Sequence, residues 1–538
     1  MRFRPPSIIH RLNALQAEHG WLRHDDLVAL AHELGVPLHR VEGVASFYPH
    51  YRRTPPAAHR IDVCRDLACA MRGGADCLQQ IRTRAAAHEA ATGERVEVHE
   101  VSCLGRCDRA PAALVGHAPA SGADEALAAL AEHAHPGPPP ARRWAVDPFP
   151  EPAAIYDVVR ALARGGAEAA ERLIGELKDA GLRGMGGAGF PTHLKWRTVR
   201  DAPAEGGEKF VVCNADESEP GTFKDREILA SLPHLVWAGV LLGALVVGAQ
   251  RAIVYIRHEY EPERLALARE QARAAAVGRE LGVELEIFVS PGGYIMGEET
   301  AILEALEDRR GEPRNKPPYP GIAGLFGQPT LINNVETLAM TAAIAARGAA
   351  WYRSQGVRGC AGLKFISVSG DVVRPGVYEV PMGTTIAELI DLAGGVPGGV
   401  PVQAVMPGGA STAFVTADAL DTPLDFEHLR RAGSSLGSGA VVVVAAGRDM
   451  LELGHNVTRF FRNESCGKCV PCRVGTHKAV ELLEQWLAGR APESTPAMLR
   501  ELDRTLAQTS ICGLGQVALV PIVSVLDRLP PARPLREP

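Results

Sequence analysis

A preponderance of charge of one sign is missing from this 538-residue sequence: 57 Lys and Arg stand against 63 Asp and Glu, a net charge of −6. No basic stripe is present to meet phosphates, which argues against a nucleic-acid partner. A membrane-length apolar run is missing too. Leu235 to Ala249 (LVWAGVLLGALVVGA) falls short of the ~20 residues of a membrane span and runs into Gln250 and Arg251, so it reads as a buried helix in a chain that is not membrane-embedded. The N-terminal stretch MRFRPPSIIHRLNALQ lacks the apolar core of a secretory signal, and the expected compartment is the cytoplasm. There, the 11 cysteines are better read as metal ligands than as disulfides. A strand-led GxGxxG fingerprint is absent, as is any motif for a molybdenum cofactor or a nickel site. What remains is a chain with 46% hydrophobic residues, long enough for several cores and three or four domains.

The most informative stretch present is Gly181 to Trp196, GLRGMGGAGFPTHLKW. The run before it, ERLIGELKDAG, reads as a helix ending at Gly181. Glycines such as Gly184, Gly186 and Gly187 let backbone approach a ligand closely and present N–H groups to phosphate, and Lys195 adds a point charge. The stretch therefore reads as an anion or nucleotide loop. Downstream, Phe210 to Cys213 reads as a strand with polar residues Asn214 to Glu219 at its carboxyl end, where open α/β sheets place ligands. Ala252 to Ile256 and Leu285 to Val289 are further candidate strands. Gly297, Glu298 and Glu299 precede a helix over Ala301 to Leu306, and acids there either cap the helix or serve a site.

Cysteines fall into two sets. Cys64 and Cys69 (CRDLAC) pair with Cys103 and Cys107 (CLGRC), a pattern open to zinc or to an iron–sulfur cluster. Cys466, Cys469 and Cys472 (ESCGKCVPC) with the remote Cys512 (SICGLG) form a [4Fe-4S] pattern. Cys77, Cys213 and Cys360 are isolated and read as ordinary thiols.

These motifs resemble the NADH-oxidising flavoprotein subunit shared by respiratory complex I, NAD-reducing hydrogenases and NAD-dependent molybdenum or tungsten formate dehydrogenases, here fused behind a thioredoxin-like [2Fe-2S] subunit. The chain carries Met185, His193 and Met296 where most members have Arg, Gly and Cys. The resemblance implies FMN contacts at Gly184, Gly186, Gly187, Lys195, Asn214, Asp216, Glu217, Gly297, Glu298, Asn333, Asn334 and Thr337. It implies NAD(H) contacts at Phe190, Glu219, Glu299, Lys316 and Tyr319. It also makes Cys64, Cys69, Cys103 and Cys107 the ligands of a [2Fe-2S] cluster. No acid–base side chain is expected to carry the redox step, because hydride passes directly between nicotinamide and flavin N5.

The implied fold is α/β and multidomain. Residues 1–135 form a helical cap and thioredoxin-like domain, 136–152 a Pro-rich linker, 153–350 a Rossmann-like FMN and NAD(H) domain, 360–446 a β-grasp (SLBB) domain and 447–530 a helical [4Fe-4S] bundle. The fused front, the GLRGxGGAGFPT loop, the MPGGAS segment and the SICGLGQ ending look most like the β subunit of a formate dehydrogenase, whose partner would be a molybdenum or tungsten α subunit. The alternatives are the diaphorase subunit of an NAD-reducing hydrogenase and the complex I flavoprotein.

Overall fold

Four parallel strands make the central sheet of the computed structural model, which describes residues 7–132, 134, 136–531, 533 and 535. Their spatial order is Glu284–Ser290, Arg251–Arg257, Phe210–Ala215, Thr330–Asn334. The first three extend the expected strands by one or two residues. Thr330–Asn334 carries no strand signature in the sequence, yet it pairs in parallel with Phe210–Ala215 and sets Asn214 opposite Asn334. The chain leaves Phe210–Ala215 toward one edge and returns on its other side, so the order reverses there. That switch point opens a crevice at the strands' carboxyl ends.

Both faces of this sheet are covered, which suits its unbroken Val- and Ile-rich runs. Val211, Cys213, Val254 and Ile256 pack with the helices Ile155–Ala180, Pro233–Val247 and Val335–Ser354. The apolar run around Leu235 is thus a buried helix, as its length implied. Among the described residues no single helix is long and apolar enough to cross a membrane. The opposite residues, Phe210, Val212, Ile253, Tyr255 and Phe288, belong to a core with Ile9, Leu12, Val41 and Tyr48. The N-terminal helices Ile8–His19, His24–Leu34 and Leu38–Phe47 therefore roof the central sheet rather than the thioredoxin-like one. Tyr48 donates its hydroxyl to Arg309 O at 2.7 Å, and Ile9 N–H donates to Asp308 Oδ1 at 3.0 Å. The first six positions of this block lie outside the described residues.

The thioredoxin-like sheet follows, in the order Val96–Val101, His59–Cys64, Ala112–Val115, Ala118–Ser121. The helices Gly74–Thr92 and Gly122–Ala131 bury Ile81, Ala126 and Leu130 against Ile61 and Val63. The Pro-rich linker, residues 136–152, forms no α-helix or strand, and its last residue opens the 3-10 turn Pro152–Ala154. It is packed down all the same: the amides of Ala145 and Val146 donate to the Glu379 carboxylate at 2.6 and 2.7 Å. His234 Nε2 lies 3.0 Å from Asp147 Oδ2. The linker is thus a strap between the central domain and the β-grasp domain.

The β-grasp sheet has five strands, ordered Gly376–Pro381, Leu363–Gly370, Ala440–Ala445, Val402–Met406, Val415–Thr416. Its helix Ile386–Leu392 starts at a capping box between Thr385 and Glu388. The helices Met450–Asn463, Val470–Leu487, Thr495–Thr509 and Val520–Arg528 complete the chain as a bundle.

Candidate functional site

The helix Ile155–Ala180 ends on Gly181, whose φ of 70° is left-handed, and releases the glycine loop at the crevice. Gly184 N–H donates to Phe190 O at 2.8 Å, and Met185 N–H donates to Thr337 Oγ1 at 2.9 Å, so the loop is pinned to itself and to the helix Val335–Ser354. Gly187 has φ 122°, and a Cβ on Gly186 would stand 3.1 Å from the Asn334 side chain. The following helix, Thr192–Asp201, carries Lys195 into the crevice and buries Trp196, which donates to Asn333 Oδ1 at 2.8 Å. Asn214 donates to Gly297 O at 2.8 Å, and Asn334 caps the 20-residue helix Val335–Ser354 through its acceptance of Glu336 N–H at 3.0 Å. The loop, two strand ends and the Gly297 turn thus converge on one cradle at a helix N-terminus, the arrangement that receives a phosphate.

On its open side Glu299 bridges two cations: Lys195 Nζ lies 3.2 Å from Oε2 and Lys316 Nζ 2.9 Å from Oε1. Burial works against its charge, but the two lysines overcome burial and hold the carboxyl below its ordinary value. Phe190 and Tyr319 stand beside them 50% and 58% exposed, two large rings with an unused face for a planar ligand. Glu219 accepts Ser411 N–H at 2.7 Å, which brings the MPGGAS segment of the β-grasp domain to the same cleft. Asp216 Oδ2 is buried without a hydrogen-bond partner among the described residues, and burial pushes this carboxyl up to about 6. The close-approach glycines, at a cradle that a side chain on Gly186 would fill, fit a bound polar cofactor.

Two expected contacts have other work in the structure. Both oxygens of Glu217 are taken: Oε1 by Asp225 N–H at 2.9 Å, Oε2 by Arg226 N–H at 3.1 Å and the Tyr260 hydroxyl at 3.0 Å. Its carboxylate braces the first turn of the helix Lys224–Ser231, because those amides have no intrahelical partner. Glu298 caps the helix Glu299–Leu306, accepting from Thr300 and Ala301, while its other oxygen meets Lys316 at 2.8 Å. The capping role is observed, and the pairing with Lys316 leaves the residue at the mouth of the crevice.

All eight assigned cysteines gather as two sets. Cys103 and Cys107 have sulfurs 3.6 Å apart, Cys64 lies beside Cys103 and Cys69, and all four are buried. Backbone N–H groups of Gly105, Ala112 and Gly221 donate to Cys103, Cys69 and Cys107, each at 3.4 Å. Such N–H···S contacts and the closed shell suit a [2Fe-2S] cluster. In the bundle, Cys466, Cys469 and Cys472 surround the start of the helix Val470–Leu487, and Cys512 returns beside them ahead of Gly513–Val517. Burial pushes Cys472 up to about 11 and Cys512 up to about 12, so iron must displace their protons.

Two cavities join these parts. One, of about 430 Å³, is lined by Cys512 together with Glu298, Lys316 and Tyr319. The other, of about 630 Å³, is lined by both Cys103 and Cys466. The side of the crevice that carries Glu298 and Lys316 thus adjoins one cysteine set, and that set shares the second cavity with the other.

The interface between the thioredoxin-like and central domains was invisible in the sequence. Arg106 forms a two-pronged ion pair with Glu263 at 2.6 and 2.8 Å, both residues buried. Arg226 donates to Gly105 O and Asp108, and Arg257 donates to Cys103 O. Beneath Asn334 a buried network links Lys224, Asp225, Glu336 and Lys364. Their partners lie up to hundreds of residues apart, so no local pattern announces them.

Family models match in chain order: a thioredoxin-like [2Fe-2S] ferredoxin over residues 3–130, the Nuo51 FMN-binding domain over 177–343, an SLBB domain over 365–414 and the NADH-ubiquinone oxidoreductase-F iron-sulfur binding region over 452–532. The chain is 42% identical over 362 residues to the NADH-quinone oxidoreductase F protein of Mycobacterium tuberculosis (strain ATCC 25618 / H37Rv), covering 65% of this chain and 81% of that protein. The chain belongs to the NADH-quinone oxidoreductase F family. Against the Escherichia coli (strain K12) member, identity is 40% over 366 residues, covering 66% of this chain and 82% of the relative. A solved NAD+-reducing [NiFe]-hydrogenase in the H2-reduced state matches with a TM-score of 0.86 at 33% identity, over 97% of this chain and 92% of that one. This member of the oxidoreductase F family is accordingly an NADH-dependent flavoprotein with an FMN-binding domain and both [2Fe-2S] and [4Fe-4S] regions, an electron-transferring diaphorase.

Proposed function

We propose that the chain is the diaphorase subunit of a cytoplasmic NAD-dependent formate dehydrogenase, carrying electrons from a molybdenum- or tungsten-containing α subunit to NAD+. The observation that supports a relay is the cavity shared by Cys512 with Glu298, Lys316 and Tyr319, because it sets a cluster ligand beside the residues that would hold the nicotinamide. FMN, when bound, supplies the change from electron pairs to single electrons that a nicotinamide and an iron–sulfur cluster require of each other. The chain's own part is placement. The glycine loop and Lys195 would hold the flavin phosphate, Asn214 fixes the Gly297 turn, and Glu299 and Lys316 with the rings of Phe190 and Tyr319 would orient the dinucleotide. Formate as donor rests on the resemblance of the fused front, the MPGGAS segment and the SICGLGQ ending.

The hydrogenase reading is favoured by a different observation, the structural match over nearly the whole chain to an NAD+-reducing [NiFe]-hydrogenase. Purification of the native complex with metal analysis separates the two. Molybdenum or tungsten with formate-dependent NADH formation supports the formate reading, and nickel with hydrogen-dependent NADH formation replaces it. In either case the isolated chain is expected to reduce artificial acceptors with NADH and to leave formate untouched.

A further inference from the structure

We propose that Cys360, Asp425 and His428 form a Zn²⁺ site in the β-grasp domain, and that the ion fixes the helix Phe426–Arg431 against the flavin loop. The three side chains bring their ligand atoms within 4.8 Å of one another. Cys360 Sγ lies 2.9 Å and His428 Nδ1 2.7 Å from the same carboxylate oxygen, Asp425 Oδ2. The other oxygen, Oδ1, accepts the amides of Glu427 and His428 at 2.9 and 2.6 Å, which fixes the carboxylate's orientation. A thiolate, an imidazole and a carboxylate make a zinc-type donor set, and three protein ligands leave the fourth tetrahedral position for water. With Zn–ligand bonds of ~2.0–2.3 Å, neighbouring ligands stand roughly 3.3–3.6 Å apart. The two present contacts therefore need to open by less than about 1 Å. Asp425 is 8% exposed, whereas the His428 side chain is 37% exposed and leaves an entry path.

Without metal, the thiol keeps its proton. Its S–H donates to Asp425 Oδ2 at 2.9 Å. Zinc binding forms a Zn–S bond, breaks the S–H bond and sends the proton to solvent, with no electron transferred. Uptake is therefore expected to strengthen as pH rises.

The connection to the flavin loop is direct. Phe426 follows the ligand Asp425 and packs on Gly189, whose φ is 62° and where a Cβ would stand 2.8 Å from the Phe426 ring. Arg183 lies 4.3 Å from the centroid of that ring, donates to Gly189 O at 2.6 Å and comes within 3.5 Å of Glu427. Residues 425–428 thus carry two zinc ligands and the contacts that hold the loop. Zinc binding does not depend on the flavin assignment; the effect on the loop does.

The test uses the full chain loaded with FMN and both clusters, so that cluster cysteines do not compete. Zinc uptake is measured against a chromophoric chelator, the ligand set by zinc X-ray absorption, and FMN release by fluorescence. One zinc per chain with a single sulfur ligand is expected. Cys360→Ser and His428→Ala should each weaken binding at least about tenfold, no less than loss of an outer-shell partner does. Zinc should slow FMN release in the wild type and not in Cys360→Ser. Asp425 is left unmutated because it also caps the helix. Equal zinc affinity in wild type and both variants, or several sulfur ligands at the zinc, would overturn the site. A zinc-loaded wild type that releases FMN at the zinc-free rate would overturn the coupling alone.

Discussion

Gly221 of the central domain donates its backbone N–H to Sγ of Cys107 in the thioredoxin-like domain, at 3.4 Å. A cysteine of the front set is thereby held from outside its own domain, and Arg257 does the same for the Cys103 carbonyl at 2.8 Å. The two cysteine sets come from different domains and, among the described residues, share only the lining of one cavity.

Loss of Cys64 and Cys103 as serines is therefore expected to abolish a [2Fe-2S] paramagnetic signal on reduction while a [4Fe-4S] signal persists. Electron paramagnetic resonance of the reduced double variant checks this. Disappearance of both signals would mean that the sets are not independent.

Lys195→Ala removes a cation that the helix after the glycine loop carries into the crevice and leaves Glu299 with Lys316 alone. A hydrogen bond to a charged group contributes about 1.5–3 kcal/mol, so FMN affinity should fall about 10- to 100-fold. Flavin retained across a dilution series, compared with wild type, is the measurement. Unchanged retention would remove Lys195 from the phosphate role.

At Gly187, φ 122° is a conformation that a side chain takes only at a cost of about 1–3 kcal/mol. Gly187→Ala should lose flavin on purification yet keep the spectra of both clusters, since neither set touches the loop. A variant with wild-type flavin content would show that the loop tolerates another backbone.

Burial and the neighbouring Asp225 push the Glu217 carboxyl from 4.5 up to about 7. Because the folded value is the higher one, the stability tied to its proton is fully present below about pH 4.5 and is lost as pH rises to about 7. The loss is at most about 3 kcal/mol at 1.36 kcal/mol per unit. Glu217→Gln cannot titrate, so the stability difference, wild type minus variant, should decline across that window and level off above it. Denaturation midpoints of both proteins at several pH values test the sign, and a rising difference contradicts it.

The sequence carried the order of domains because each has a local signature: the cysteine spacings, the proline cluster at the linker, the glycine loop, the Val-rich strands. It did not carry the strand Thr330–Asn334, whose TLINN has too few apolar residues to declare a strand and is held by pairing with residues over a hundred positions away. Nor did it show that Ile9, Leu12 and Tyr48 cover the central sheet, because helical periodicity tells which face is apolar and not what it meets. For Glu217 the resemblance implied a flavin contact but could not show its packing role. Its partners, Asp225, Arg226 and Tyr260, become neighbours only after folding. Cys360 read as an isolated thiol because Asp425 and His428 follow 65 and 68 positions later.

Solvent reaches the two cysteine sets unequally. Cys64, Cys69, Cys103 and Cys107 are each no more than 4% exposed, behind Tyr260, Arg226 and Arg257 of the neighbouring domain, whereas Cys466, Cys469 and Cys512 are only half-buried. Iron and sulfide are therefore expected to reach the front set more readily before the thioredoxin-like domain seats, and the rear set in the folded chain as well; the order in which the two cluster signals appear when folded, cluster-free protein is reconstituted checks this.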